Sequence, residues 1–277
     1  MNRRMRFSAG KLVVHIVLIA GAATMLLPFL WMVLTSFKTY EEAVAIPIQW
    51  FPKQWNLDNY REVLDRMNFG RYMLNTVFVT AVTTVVQTFF CAITAYGFAR
   101  LRFPGRDQMF FCFLCLVMVP SQMLMIPRYV MMVNFKWIDS YLALIMPHYV
   151  SIYGTFLLRQ YFMALPKELE EAARIDGCSY ARSFSHILCP LMGNAFLALG
   201  IYTIVFNWND LLWPLLVIDS EKMRVLSVGI AAMREEHVYT RHLMMTAGVL
   251  STAPLIAIFV LGQKKFINGI ALSGIKG

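Results

Sequence analysis

Residues 72–99 read YMLNTVFVTAVTTVVQTFFCAITAYGFA, 28 positions without a lysine, arginine, aspartate or glutamate. A helix needs about 20 mostly apolar residues to cross the roughly 30 Å of hydrocarbon in a bilayer, because it rises about 1.5 Å per residue. Outward from this stretch lie five more charge-free intervals, 12–37, 108–127, 140–158, 183–209 and 242–263, and all 41 acidic and basic side chains fall outside the six. With 58% hydrophobic and only 15% charged residues among 277, and a mean hydropathy of +0.57, the chain carries too much apolar surface for a water-soluble domain of its size. A disordered chain, a disulfide scaffold and an ordinary soluble α/β enzyme are excluded. The pattern predicts an all-α membrane protein with six transmembrane helices in one domain over 1–277. The spans are placed at 12–37, 72–99, 108–132, 140–158, 191–217 and 242–263, with a long loop at 159–190. The first apolar stretch exceeds a usual secretory-signal core and no small-x-small cleavage site follows it, so it reads as a retained span.

Six crossings put both termini on one side. The loops on that side hold 14 basic residues against 5 acids, with tight clusters at Arg3, Arg4 and Arg6 and at Arg100, Arg102 and Arg106; the opposite loops hold 11 against 10. The positive-inside rule then places both termini in the cytoplasm. The net charge of +9 is spread over membrane-flanking loops rather than one face, which argues against nucleic acid as a partner.

Reactive groups are scarce. There is no G-x-x-x-x-G-K-[ST] loop to cradle ATP phosphates and no G-x-S-x-G elbow, and His15, His148, His186, His237 and His242 are too scattered for a helical zinc site. Cys91, Cys112, Cys115, Cys178 and Cys189 are odd in number and mostly intramembrane, so they read as small hydrophobes rather than disulfides or ligands. Asp210 is the only carboxylate embedded in a hydrophobic region. A chain with so few relay groups looks like a conduit, non-catalytic and without a cofactor or metal of its own, whose energy comes from elsewhere.

The loop 159–190 has the pattern of two short helices. Pro166 suits a first turn, and Glu168, Glu170 and Glu171 crowd the end where acids favour the helix dipole. Gly177 suits a stop that needs a left-handed residue, and Ser179 begins the next helix, through Pro190. Ala172 and Ala173, flanked by Glu171, Arg174 and Asp176, form a low ridge suited to another protein's groove.

Glu171-Ala172-Ala173, three residues, Gly177, nine residues, Ile187, one residue, Cys189 and Pro190 resemble the EAA loop of permease subunits of bacterial ATP-binding-cassette importers, E-A-A-x3-G-x9-I-x-L-P, with Cys189 in place of leucine. Arg100-Leu101-Arg102-Phe103-Pro104-Gly105-Arg106, Trp208-Asn209-Asp210-Leu211-Leu212-Trp213-Pro214 and the ending Gly269-Ile270-Ala271-Leu272-Ser273-Gly274-Ile275-Lys276-Gly277 look like the same family. Together they resemble its carbohydrate-uptake branch, in particular the six-span partner of the maltose-type permease pair.

That resemblance implies a type I importer permease fold with both termini inside, in the bacterial cytoplasmic (inner) membrane. It implies a second permease subunit, a homodimeric cytoplasmic ATPase carrying ATP and Mg, and an extracytoplasmic solute-binding protein. Glu171, Ala172, Ala173, Arg174, Asp176, Gly177, Ile187 and Pro190 become the ATPase-coupling residues. The cargo implied is an oligosaccharide, with glycerol 3-phosphate or a polyol as the alternative; a phosphate needs a cation, and only Arg128 lies near the membrane region. An ion-coupled secondary transporter is the rival from another class, recognisable by uptake without ATP.

Asn207, Trp208, Asn209, Asp210 and Trp213 offer amides, a carboxylate and aromatic faces of the kind that bind sugars, and they serve equally well as helix cross-links or an interfacial belt. Five methionines between Met118 and Met132, with Pro120 and Pro127, fit either an adaptable gate or lipid-facing packing. Trp50, Phe51, Pro52 and Trp55 mark an outer segment that rests on the membrane face or on the partner permease, and 218–241 with Glu235-Glu236-His237 is a contact candidate for the binding protein.

Overall fold

The computed structural model describes residues 9–236 and 241–274; Arg3, Arg4, Arg6, His237 and Lys276 lie outside the described residues. In chain order the helices are α1 Ala9–Thr35, α2 Tyr40–Val44, α3 Asp58–Arg66, α4 Phe69–Arg100, α5 Arg106–Cys115, α6 Met125–Asn134, α7 Tyr141–Ile145, α8 Ile152–Ala164, α9 Glu168–Ile175, α10 Tyr180–Ser183, α11 Cys189–Leu191, α12 Gly193–Trp208, α13 Leu212–Val217, α14 Leu226–Glu236 and α15 Arg241–Gly274. Among the described residues there is no strand.

Among the described residues three helices are long and apolar enough to cross a membrane unaided, over Leu12–Thr35, Phe69–Arg100 and Arg241–Gly262. Three bent pairs pass the same test when each is taken as one broken span: Arg106–Met118 with Ser121–Asn134 at 97°, Tyr141–His148 with Ile152–Ala164 at 46°, and Tyr180–Leu191 with Gly193–Trp208 at 79°. Counting each pair once gives six. The third stretch is therefore no straight rod. Pro120 has no N–H to continue the ladder and sits at ψ 129°, which ends one segment and starts the next. In the fourth, Ser151 opens α8 by accepting a hydrogen bond from Gly154 N at 3.1 Å.

The helices depart from the placed spans most at three points. α8 runs to Ala164 rather than ending at 158. Arg159 stays helical because its guanidinium lies over the Phe110 ring at 4.1 Å and 3.7 Å from Asp107, so the charge is paired while its stem stays in apolar surroundings. The stretch 191–217 is interrupted at Asn209–Leu211, between α12 and α13. α15 continues eleven residues past 263, to Gly274.

The chain divides into two compact units. The first comprises residues up to Phe69 together with Ile230–Ala253. In it α1 is exposed from Leu12 through Leu30, and only its end is gripped by the rest of the unit. There Ser36 O accepts from Asn59 Nδ2 at 2.8 Å and from Thr246 Oγ1 at 3.1 Å.

The second unit holds two apolar clusters. One gathers Val79, Leu144, Ile145, Trp213, Val217 and Val225, and the other Cys91, Ala95, Leu158, Phe162, Leu188 and Leu199. Because lipid tails are as apolar as leucine, such clusters are held by close packing and hydrogen bonds rather than by escape from water. Gly154 shows how close: a Cβ added there would stand 2.8 Å from Leu199 Cδ1 and 3.1 Å from Cys91 Sγ.

Candidate functional site

Two sets of residues in the second unit carry the functional expectations: the loop helix α9 with its continuation, and the region around the α12–α13 break.

α9 starts beside the three acids of its first turn and stops at Asp176, after which Gly177 takes φ +81°. Only glycine adopts that conformation freely. Ser179 then caps α10, accepting from Arg182 N at 3.3 Å, and a π-helical turn over Phe184–Leu188 leads into α11. One side of α9 is fastened to its own chain. Glu170, 8% exposed, accepts a 2.7 Å hydrogen bond from Tyr96 Oη and stands 3.9 Å from Arg100 Nε. The same guanidinium donates to Phe162 O at 2.6 Å and Leu165 O at 2.7 Å, tying the end of α8 to α4.

The opposite side of α9 is open. Leu169, Ala172 and Ile175 are exposed at a three-residue spacing, Ile175 by 87%, flanked by exposed Glu171, Arg174 and Asp176. This is an apolar strip with a charged rim, the make-up of a protein-docking helix. The two alanines of the expected ridge part company here: Ala172 faces outward, while Ala173, 5% exposed, packs inward beside Glu170. Arg174 lies over the Tyr180 ring at 4.4 Å and donates to its hydroxyl, bracing the Gly177 corner. Ile187 is half-buried and Pro190 exposed.

At the α12–α13 break, Asn207, Trp208, Asp210 and Trp213 line one small cavity together with Thr76, Thr80, Leu144, His148 and Val225; Asn209 is exposed and lies outside that lining. The side chains are largely committed. Asp210 Oδ1 accepts from Trp213 N at 3.5 Å, capping α13, and its Oδ2 is 3.7 Å from His148 Nε2. Trp213 Nε1 donates to Ala143 O at 2.8 Å. Asn207 and Asn209 each donate to the carbonyl four residues back, Thr203 O and Val205 O, at 2.8 Å. These amides stabilise their own helix end, a use the sequence reading did not weigh. The cavity is small, with room for about one water.

Sequence reasoning missed the residues that organise this region. Along α4, Asn75, Thr76, Thr80, Thr83 and Gln87 are all buried, and Cys91 and Ala95 extend the same face. Gln87 accepts from Thr203 Oγ1 at 2.7 Å and donates to His148 O at 2.6 Å, while Asn75 donates to Lys222 O and Arg224 O and accepts from Tyr141 Oη. Thr80 Oγ1, at the cavity, has no hydrogen-bond partner among the described residues. The signal was present as Thr76, Thr80, Thr83 and Gln87 at helical spacing inside a span. Tyr96 and Arg100, the partners of Glu170, had no such mark.

A family described as the binding-protein-dependent transport system inner membrane component matches residues 89–271. The chain belongs to that family. The match takes in α9, the Gly177 corner and the α12–α13 break, while Thr76 and Thr80 of the cavity lining precede it. The permease also matches relatives over nearly their full length. It is 32% identical over 275 residues to the arabinooligosaccharides transport system permease protein AraQ of Bacillus subtilis (strain 168), covering 98% of each chain. It is 30% identical over 271 residues to the sn-glycerol-3-phosphate transport system permease protein UgpE of Brucella abortus (strain 2308), covering 94% of this chain and 96% of that one. A solved structure described as a bacterial ABC transporter involved in the import of the acidic polysaccharide alginate superposes with a TM-score of 0.80, at 21% identity, over 96% of this permease and 99% of the other chain. The fold is thus that of an ABC importer permease, built here from the three unbroken and three bent crossings.

Proposed function

We propose that this permease forms half of the translocation pathway of an ATP-driven importer of a carbohydrate, an oligosaccharide, in the bacterial cytoplasmic membrane with both termini inside. Its open α9 face docks in a cleft of a homodimeric cytoplasmic ATPase that binds ATP and Mg, a second and different permease chain completes the pathway, and an extracytoplasmic solute-binding protein delivers the cargo. ATP acts on this chain only through the difference in docking free energy between inward-open and outward-open states. The observation that carries the reading is a loop helix fixed on one side by Glu170, Tyr96 and Arg100 and bare on the other along Leu169, Ala172 and Ile175. Glu171, Arg174 and Asp176 set the register at the rim, the Gly177 corner sets the angle, and Ile187 and Pro190 end the loop.

Carbohydrate as cargo is supported by the AraQ relatives and by the lining at the α12–α13 break, where hydroxyls, amides and the Asp210 carboxylate suit a neutral polyhydroxylated solute better than a phosphate. Asn207, Trp208, Asp210 and Trp213 contribute to the pathway wall, which widens from this small cavity when the spans tilt. A second reading, glycerol 3-phosphate, is favoured by the UgpE relatives, with Arg128 as the cation such a cargo requires.

Gly177→Asp is the direct test of coupling. A side chain at φ +81° costs about 1–2 kcal/mol and re-aims α10. The expected result is normal membrane insertion with uptake lost; wild-type uptake by that variant overturns the coupling role. Stimulation of ATPase turnover by binding protein loaded with arabino-oligosaccharide, against the same protein loaded with sn-glycerol 3-phosphate, separates the two cargoes.

A further inference from the structure

We infer that the cavity at the α12–α13 break is a binding site for one ordered water molecule, which bridges Thr80 Oγ1, His148 Nε2 and Asp210 Oδ2. The inference concerns the second unit alone and is independent of what the permease carries.

The argument begins with Thr80. It is 4% exposed, so this chain encloses it unaided and a partner subunit can only bury it further. Its neighbours along α4, Thr76 and Thr84, turn their hydroxyls back to the carbonyl four residues before, Tyr72 O at 2.8 Å and Thr80 O at 2.7 Å. Thr80 does not. Its Oγ1 lies at the cavity and has no hydrogen-bond partner among the described residues. A buried hydroxyl left unpaired loses its hydration with no return, which is why most such groups are bonded either to protein or to ordered water.

The cavity wall offers Thr80 few direct partners. Thr76 Oγ1 also accepts from Leu226 N at 2.8 Å, Asn207 Nδ2 is given to Thr203 O, and Trp213 Nε1 to Ala143 O. His148 Nε2 and Asp210 Oδ2 stand 3.7 Å apart, with side chains only 15% and 20% exposed. That separation exceeds a direct hydrogen bond and is of the kind that a water closes. The cavity has room for about one water, and three polar partners is the usual complement of a buried one. In the bridge the water accepts from Thr80 Oγ1 and from the His148 Nε2 hydrogen and donates to Asp210 Oδ2. A cation fits the site less well. Arg128 acts electrostatically on His148, so a cation would meet a like charge, and among the described residues no three histidine, cysteine or carboxylate side chains gather to hold a metal.

The three groups come from α4, from the bend between Tyr141–His148 and Ile152–Ala164, and from the break between α12 and α13. One water thus joins a continuous helix to the two nearby places where the backbone ladder is interrupted.

The test uses the nucleotide-free transporter purified with its accompanying subunits. A cryo-electron microscopy map that resolves ordered waters elsewhere in the assembly should show a peak within hydrogen-bonding distance of Thr80 Oγ1 and of His148 Nε2 or Asp210 Oδ2. Thr80→Val keeps the shape of the side chain and removes the hydroxyl. If the hydroxyl has no partner, that change leaves the thermal midpoint of the permease unchanged or raised. With the water in place the midpoint should fall by about 2–4 °C, and Thr80→Ser should hold it near the parent value. A map without that peak, a Thr80 hydroxyl bonded to Thr76 O instead, or a Thr80→Val variant as stable as the parent overturns the inference.

Discussion

Glu170 illustrates how one side chain sets the posture of a whole loop. Its carboxylate is nearly enclosed and held by Tyr96 Oη and by Arg100, and removing one member of a buried ion pair costs about 3–5 kcal/mol because the other is left uncompensated. Glu170→Ala should therefore lower the unfolding midpoint and speed hydrogen exchange across 168–176, while Glu170→Gln, which can still accept from Tyr96, should do so less; unchanged exchange in the alanine variant would sink the clamp. Asp139 gives a pH-dependent counterpart outside the spans. Partial burial pushes its carboxyl up, but hydrogen bonds from Ser220 N, Ser220 Oγ and Asp219 N outweigh that and hold it below the ordinary range. A lowered folded value contributes stability that is present above the unfolded value of about 3.9 and is lost as pH falls through the folded one. Protection of the Ser220 amide should accordingly persist through the ordinary aspartate range and be lost only at lower pH, and Asp139→Asn should abolish that dependence. Neither role was legible in sequence: Glu168, Glu170 and Glu171 look alike in a first turn, and Tyr96 stands 74 positions from Glu170.

At the scale of the elements, local chemistry was the readable part. Acids at the start of α9, a left-handed glycine after it and a serine cap on α10 all follow from the order of residues in one short segment. Ends decided by distant partners were not readable. α8 passes Arg159 because Phe110 and Asp107 receive it, and the 79° turn at Met192 carries no proline at its apex. Close helix approach was equally hidden. Gly154 brings α8 against Leu199 of α12 and Cys91 of α4, so Gly154→Ala should cost about 1–3 kcal/mol by overpacking, and Gly154→Leu more. Thermal unfolding in detergent checks this, and an alanine variant as stable as the parent would mean that Leu199 swings aside at no cost.

For the molecule as a whole, charge-free runs were enough to count six crossings, since lipid excludes charge over a fixed thickness. They could not show that half of those crossings are bent, nor that α4 turns a polar stripe inward, because averaging over a span conceals which face carries its threonines. The proposed division of labour has a whole-molecule consequence. Reconstituted alone in liposomes this permease should neither hydrolyse ATP nor accumulate sugar, and both activities should appear only when the ATPase, the second permease and the binding protein are added. Accumulation by the lone chain would refute the scheme.

α4 is 32 residues long, about 48 Å end to end, with no proline in it. One end grips α9 through Tyr96 and Arg100; the other grips the 221–224 turn through Tyr72 and Asn75, whose oxygen also holds Tyr141. One unbroken run of backbone hydrogen bonds thus ties the loop helix to a turn at the other end of the span.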